Sequence, residues 1–271
     1  MPELPEVETT RRGITPHLLE QTITRVIINN PSLRWPIPPT LPRRLQGETI
    51  RQIGRRAKYL LLDTDSGTLI LHLGMSGSLR LTEQGTAMRK HDHFILQLGS
   101  GMELRLHDPR RFGAVLWHQG NIIAHPLIRD LGPEPLQDGF NANYLLQTCK
   151  GRKSSIKQHI MNSKVVVGVG NIYASESLFL AGIHPKRAAG RIAPARIDQL
   201  VQSIKAVLGS AIEQGGTTLR DFVHEDGKPG YFKLYLNVYG RTGEPCHQCQ
   251  SAIRQINLGQ RSTFYCVHCQ R

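Results

Sequence analysis

The sequence predicts an α+β protein in three consecutive parts: a β-rich N-terminal half entered through a helix, a helical second half, and a small C-terminal module. Three observations carry this reading. Short apolar or alternating runs separated by Gly, Asp and Ser turns fill positions 22–117. Helical periodicity begins only after a stretch at 131–142 that gathers Pro, Gly and Asp. Four of the five cysteines fall after position 245, in two closely spaced pairs.

Taken in order, the opening "MPELPEVETTRRG" reads as a short helix. Pro5 suits its first turn, Glu6 and Glu8 suit its positive end, and Gly13 can close it. The runs "TITRVIIN", "YLLLDT", "TLILHLG", "SLRL", "HFILQLG", "MELRLHD" and "AVLWH" follow as strands, with the spacing of a sandwich or barrel. No helix-period stretch interrupts them. "LGPEPLQDGFNA" is a linker, and "SSIKQHIMNS", "NIYASESLFLAGI" and "PARIDQLVQSIKAVLGSAIEQGG" are helices, the last ended by glycines. The boundaries are 2–130, a linker at 131–142, 143–235, and 236–271.

Composition narrows the partner. With 34 Lys and Arg against 21 Asp and Glu, the chain carries +13. Such an excess points to a polyanion, because each neutralised phosphate releases counterions and adds affinity. A hydrophobic fraction of 39% suffices for packed cores. No apolar run approaches the roughly 18 residues of a membrane span, so no membrane role is expected. The N-terminus lacks a signal-peptide core, which makes the cytoplasm the default address.

The strongest motif is Cys246-x2-Cys249 with Cys266-x2-Cys269. Two such knuckles supply four thiolates for one tetrahedral structural zinc, with no open position for catalysis. Between them, "QINLGQRSTFY" reads as two strands around a Gly-Gln-Arg turn that presents Arg261. "KVVVGVGNIYASE" puts glycines before a helix that starts at Asn171; it reads either as a structural connection or as amides offered to a phosphate. Met75 lies between Gly74 and Gly77 as a protruding tip, and Arg110 and Phe112 share a face if extended. Protruding apolar side chains of this kind can wedge into a base stack, the alternative for Phe112 being a core position. Lys58 begins a strand, while His91, Arg152, Lys153 and Lys157 are basic groups able to meet phosphates.

These blocks coincide in order. "MPELPEVET", "RRAKYLL", "HLGMSG", "DPRRFG", "GVGNIYASE", "EQGGTTLRDF", "GKPGYF" and the four-cysteine tail together resemble bacterial formamidopyrimidine-DNA glycosylase, over residues 2–270. Endonuclease VIII also begins Met-Pro-Glu but generally lacks Leu4 and the Val7-Glu8 continuation seen here. The resemblance implies a β-sandwich with an N-terminal helix, a helix–two-turn–helix domain and a zinc-finger β-hairpin. It implies a bifunctional repair enzyme for 8-oxoguanine and formamidopyrimidines in double-stranded DNA, acting also on abasic sites, as a monomer associated with the nucleoid. By the same resemblance Pro2 is the nucleophile, once Met1 is removed, and Glu3 the acid at the sugar. Lys58 is the proton donor for β-elimination and Arg261 that for δ-elimination. Met75, Arg110 and Phe112 fill the gap left by the flipped base. Lys157, Asn171 and Arg261 contact phosphates, with His91 and Arg152 carried over as further DNA contacts. "LRDFVHEDGKPG" would be the base-capping loop. Val267-His268 stands where a proline is more usual, and it touches no ligand position. Two other readings share the architecture: a non-catalytic binder of damaged DNA, and an enzyme for oxidised pyrimidines.

Overall fold

The first helix runs further than its glycine suggests. In a computed structural model that describes residues 2–216 and 235–271, α1 (Leu4–Leu18) continues through Gly13 and Pro16. Leu4, Val7, Ile14 and Leu18 form one stripe, each at most 1% exposed. Burying four such side chains outweighs the roughly 1 kcal/mol that a mid-helix glycine costs. Gly13 therefore does not close the helix. Its start is as expected: Glu3 is the N-cap and donates its amide to the Glu6 carboxylate at 2.8 Å, within a capping box.

Residues 2–129 belong to one compact unit. It contains β1 (Ile23–Ile28), α2 (Leu41–Leu45), β2 (Ile50–Arg56), β3 (Tyr59–Thr64), β4 (Thr68–His72), β5 (Ser78–Glu83), β6 (Asp92–Leu98), β7 (Met102–His107) and β8 (Ala114–His118). The seven expected strands are present, and two elements are additional. β2 is "IRQIGRR", where only Ile50 and Ile53 are buried and the arginines mask the alternation. α2 is a single turn, "LPRRL", too short to show a period. The strands form two antiparallel sheets, β1-β6-β7-β5 and β2-β3-β4-β8. One apolar core joins them, with Leu60, Leu62, Leu69 and Leu71 from one sheet and Phe94, Leu96, Leu104 and Leu106 from the other. Of the two architectures left open, it is the sandwich.

Residues 130–211 and 235–271 belong to the second unit. The presumed linker leads into a helix that the sequence reading left out: α3 (Ala142–Cys149), capped by the Asn141 side chain, which accepts from the Tyr144 amide at 2.9 Å. α4 (Ile156–Ile160), α5 (Asn171–Leu180) and α6 (Pro194–Gly216) follow. Their core gathers Ile156, Ile160, Tyr173, Leu178, Ile197, Leu200 and Ile204. The hairpin of β9 (Arg254–Leu258) and β10 (Arg261–Tyr265) completes this unit. Among the described residues, no helix is long and apolar enough to cross a membrane.

Candidate functional site

In the first unit the register of one sheet gathers residues far apart in sequence. Tyr59 pairs with His72, and His72 pairs with Ala114. The residues just outside those pairs therefore share one end of the sheet: Lys58 before β3, Gly74 and Met75 after β4, and Phe112 and Gly113 before β8. Arg56 pairs with Tyr59, so Ala57 and Lys58 form the two-residue turn of a tight hairpin. Ala57 takes the left-handed conformation (φ 55°) and is 4% exposed.

The turn carrying Met75 and the loop carrying Phe112 touch through their backbones. A Cβ on Gly74 would lie 2.4 Å from the Phe112 carbonyl carbon, and Gly74 itself has φ +63°. Asp108, fully buried, ties the two segments together. Its Oδ2 accepts the Gly113 amide at 2.7 Å and its Oδ1 accepts the Ser76 hydroxyl at 3.2 Å. Its own amide donates to the His91 carbonyl at 3.0 Å, which brings His91 to the same group. The Arg110 guanidinium lies 4.9 Å above the Phe112 ring. Met75 and Phe112 are 40% and 42% exposed, so the alternative of a core Phe112 is set aside. A single exposed apolar side chain is ordinary, but two brought together beside a pocket mark a surface suited to binding.

A pocket of about 730 Å³ opens beside them, lined by Leu33, Arg34, His72, Met75, Arg110 and Phe112. Sequence reasoning missed His72 and Arg34. Burial, then the nearby cations of Lys58 and Arg34, push His72 down to about 4, so its ring is neutral at working pH. The Gly74 amide donates to His72 Nδ1 at 3.0 Å, which leaves the ring proton on Nε2. Asp108 was missed as well, although Asp before Pro at a turn in "HDPRRFG" is a signal for it.

Pro2 and Glu3 open α1, both buried, with Glu3 1% exposed. α1 lies on the sheet that carries Lys58, and Glu8 fixes it there. The Glu8 carboxylate accepts from Arg55 Nε at 3.0 Å, Arg11 Nη2 at 2.8 Å and Arg12 Nε at 3.0 Å. Burial alone would raise this carboxyl, but the three guanidiniums, Arg11 foremost, bring it down to about 2.

In the second unit, Lys157 and Asn171 meet at the zinc-finger hairpin. Lys157 is 1% exposed. Its Nζ donates to Asn171 Oδ1 at 2.7 Å, to Thr263 Oγ1 at 2.8 Å and to the Ser262 carbonyl at 3.3 Å. Asn171 Nδ2 donates to the same Ser262 carbonyl at 3.0 Å. These bonds cross-brace α4, α5 and β10 beside Arg261. Arg261 is exposed and directly follows the turn Gly259–Gln260, both of positive φ. The valines of "KVVVGVG" are buried, Val167 completely, so this segment packs the core as it leads into α5. Arg152 is placed elsewhere, exposed after α3, with its Nε donating to the Thr148 carbonyl at 3.4 Å. The proposed capping segment 219–230 lies outside the described residues.

The four cysteine sulfurs all lie within 4.8 Å of one another. Cys246 and Cys269 are 3.8 Å apart, close to the edge of a tetrahedron whose Zn–S bonds are about 2.3 Å. Without an ion, burial and the neighbouring thiols hold Cys266 and Cys269 protonated, while hydrogen bonds from Ser251 lower Cys249 to about 6. Metal binding would displace those protons. The set fits one structural zinc ion.

Three family models match successive parts of the chain: the formamidopyrimidine-DNA glycosylase N-terminal domain at residues 1–115, its H2TH domain at 131–223, and the zinc finger found in FPG and IleRS at 243–271. A curated formamidopyrimidine-DNA glycosylase from Thioalkalivibrio sulfidiphilus is 61% identical, with all of both chains aligned. One from Shewanella loihica is 57% identical over all of this chain and 99% of its own. Among solved structures, Lactococcus lactis Fpg in complex with abasic-site DNA matches at 33% identity and TM-score 0.91, over the full length of both chains. The same protein bound to N7-benzyl-Fapy-dG DNA gives 0.91 as well. A β-sandwich, an H2TH domain and a four-cysteine finger in this order define a DNA-repair glycosylase with a structural zinc. The chain belongs to the formamidopyrimidine-DNA glycosylase family.

Proposed function

We propose that the chain excises oxidised purines, 8-oxoguanine and formamidopyrimidines, from duplex DNA through a Schiff base on Pro2, and then cleaves the strand by β,δ-elimination. The observation that carries this is the shared sheet end of Lys58, Met75 and Phe112, on the sheet against which α1 sets Pro2 and Glu3. A base inside a stack is out of reach, so its nucleotide is extruded at a cost of a few kcal/mol. Met75 and Phe112 replace the lost stacking, and Arg110 takes over hydrogen bonds of the orphaned partner base.

With Met1 removed, Pro2 offers a secondary amine. An α-amino nitrogen is less basic than a lysine's, and the positive end of α1 disfavours the ammonium further. Attack of this nitrogen on C1′ breaks the glycosidic bond, and the base leaves with its electron pair and a proton. Glu3 gives a proton to the ring oxygen as the sugar opens. The iminium formed by a secondary amine cannot be quenched by losing an N–H proton, so it acts as an electron sink. The C2′ proton becomes acidic, and its loss expels the 3′ phosphate. Lys58 supplies the proton that this β-elimination requires, and Arg261 serves the δ step that expels the 5′ phosphate. Asn171, Arg261 and Lys157 form the phosphate-side group in the helical unit, while His91 and Arg152 add phosphate contacts.

Borohydride trapping tests the reading. A covalent adduct with 8-oxoguanine duplex is expected for the processed protein and is lost in Pro2→Gly. No adduct in the parent, despite DNA binding, would make the chain a non-catalytic binder. Faster excision from thymine glycol duplex than from 8-oxoguanine duplex would move the substrate to oxidised pyrimidines. Intact mass must show Met1 absent, since a retained methionine turns the nucleophile into an amide.

A further inference from the structure

We propose that Arg55 is a positioning residue for Lys58, and that Glu8 holds Arg55 in place. The inference rests on the reading of Lys58 as a proton donor in elimination. Lys58 stands in a two-residue turn whose first residue, Ala57, is a non-glycine in the left-handed region. An L side chain leaves that region unless its surroundings hold it. Arg55 supplies such a hold: its Nη1 donates to the Ala57 carbonyl at 2.8 Å, and that carbonyl belongs to the peptide bond leading into Lys58. Its Nε donates to Glu8 on α1 at 3.0 Å. A single planar guanidinium therefore joins the helix that begins with Pro2 and Glu3 to the turn that ends with Lys58.

The surroundings of this link are built to keep it rigid. The Arg55 and Glu8 side chains are 13% and 11% exposed. Glu8 also accepts two bonds from Arg11, at 2.8 and 3.1 Å, and Arg11 reaches back to the β2 backbone at the Ile53 carbonyl at 3.4 Å. Glu8 is thus bound to α1 and to β2 at once. A lysine at 55 offers a single nitrogen on a flexible stem, whereas the planar arginine fork reaches both acceptors from two nitrogens in fixed geometry. Loss of Arg55 removes one hold on the Ala57 peptide and shifts the Lys58 ammonium. Pro2 keeps its place, because α1 is anchored separately by Leu4, Val7, Ile14 and Leu18.

Single-turnover kinetics on abasic-site duplex separate the steps. Arg55→Met is expected to slow strand cleavage by about tenfold to a hundredfold, as a misplacement near 1 Å does. The yield of borohydride-trapped adduct stays near the parent's, because the Pro2 step is untouched. Arg55→Lys falls between the two. Arg55→Met with Lys58→Met is no slower than Lys58→Met alone, since Arg55 acts through Lys58. Adding Ala57→Gly to Arg55→Met moves cleavage back toward the parent rate, because glycine takes the left-handed conformation without a holder, and it leaves trapping unchanged. Parent-like cleavage by Arg55→Met beside a slow Lys58→Met would overturn the inference, as would losses in the double variant that multiply. Parent-like cleavage by Lys58→Met would instead overturn the Lys58 reading, and this inference with it. Arg55→Lys carries the same comparison should Arg55→Met not fold.

Discussion

At the scale of single residues, charge decides more than burial does. Glu8 is 8% exposed, an environment that by itself favours a neutral carboxyl, yet three arginines keep it ionised down to about pH 2. Its ordinary value is 4.5, so the folded state holds the charge more firmly than the unfolded chain does. The resulting stabilisation is complete above pH 4.5 and is lost as pH falls from there through 2, an amount of about 3 kcal/mol. Glu8→Gln should unfold about that much more easily at pH 7 in urea, and its stability should change less than the parent's between pH 4.5 and 2. Equal losses in both proteins over that range would show that the arginines do not hold Glu8. His72 works in the same sense from a different cause, burial: its folded form refuses the proton that the unfolded chain takes below 6.5, so it too costs stability as pH falls toward 4. Residues like these were the least legible in the sequence. Glu8 read only as an acid near a helix start, because its three partners converge through an i+3 neighbour, an i+4 neighbour and a strand 47 positions away. The cysteines were fully legible, since their spacing encodes their geometry.

At the scale of elements, strands with clean alternation were readable and those carrying function were less so. β2 was missed because it trades apolar residues for arginines, one of which, Arg55, grips α1 and the Lys58 turn. α3 was missed because its cap, Asn141, sits in a run whose prolines and glycines read as linker. The Met75 turn shows what such elements require. Gly74 is needed twice, for its φ of +63° and for the 2.4 Å approach to the Phe112 backbone. Gly74→Ala should cost about 3 kcal/mol and separate the two exposed apolar tips. Melting temperature and the affinity for abasic-site duplex should fall together; an unchanged affinity would mean that the tips act independently. The zinc finger poses a similar case. Its core is Phe179, Val238, Ile253, Phe264 and two of the cysteines, too little apolar surface to fold without the metal. Chelation should abolish hydrogen-exchange protection in β9 and β10 and leave β6 and β7 protected. Retained protection in β10 would show that Lys157 and Asn171 hold the hairpin unaided.

At the scale of the whole molecule, the proposed function divides DNA binding in two: the excess of +13 would supply affinity without sequence, and the apolar tips the distortion that exposes a lesion. The two contributions respond differently to salt. Each phosphate neutralised by an arginine or lysine adds about 0.9 to the slope of log affinity against log salt, whereas stacking adds none. On the proposed function, Arg152, exposed on the helical unit with its Nε 3.4 Å from the Thr148 carbonyl, belongs to the first kind. On the same reading, Phe112, 42% exposed under the Arg110 guanidinium, belongs to the second. Arg152→Ala should therefore lower the slope by about one and weaken intact and abasic-site duplexes equally. Phe112→Ala should leave the slope unchanged and weaken only the abasic-site duplex, by roughly the 1–3 kcal/mol of a lost aromatic stack. Titrations of the parent and both variants on both duplexes at several salt concentrations give the six slopes required. If Arg152→Ala keeps the parent slope, Arg152 meets no phosphate. If Phe112→Ala weakens both duplexes alike, Phe112 binds DNA without entering the gap, and the wedge reduces to Met75 and Arg110.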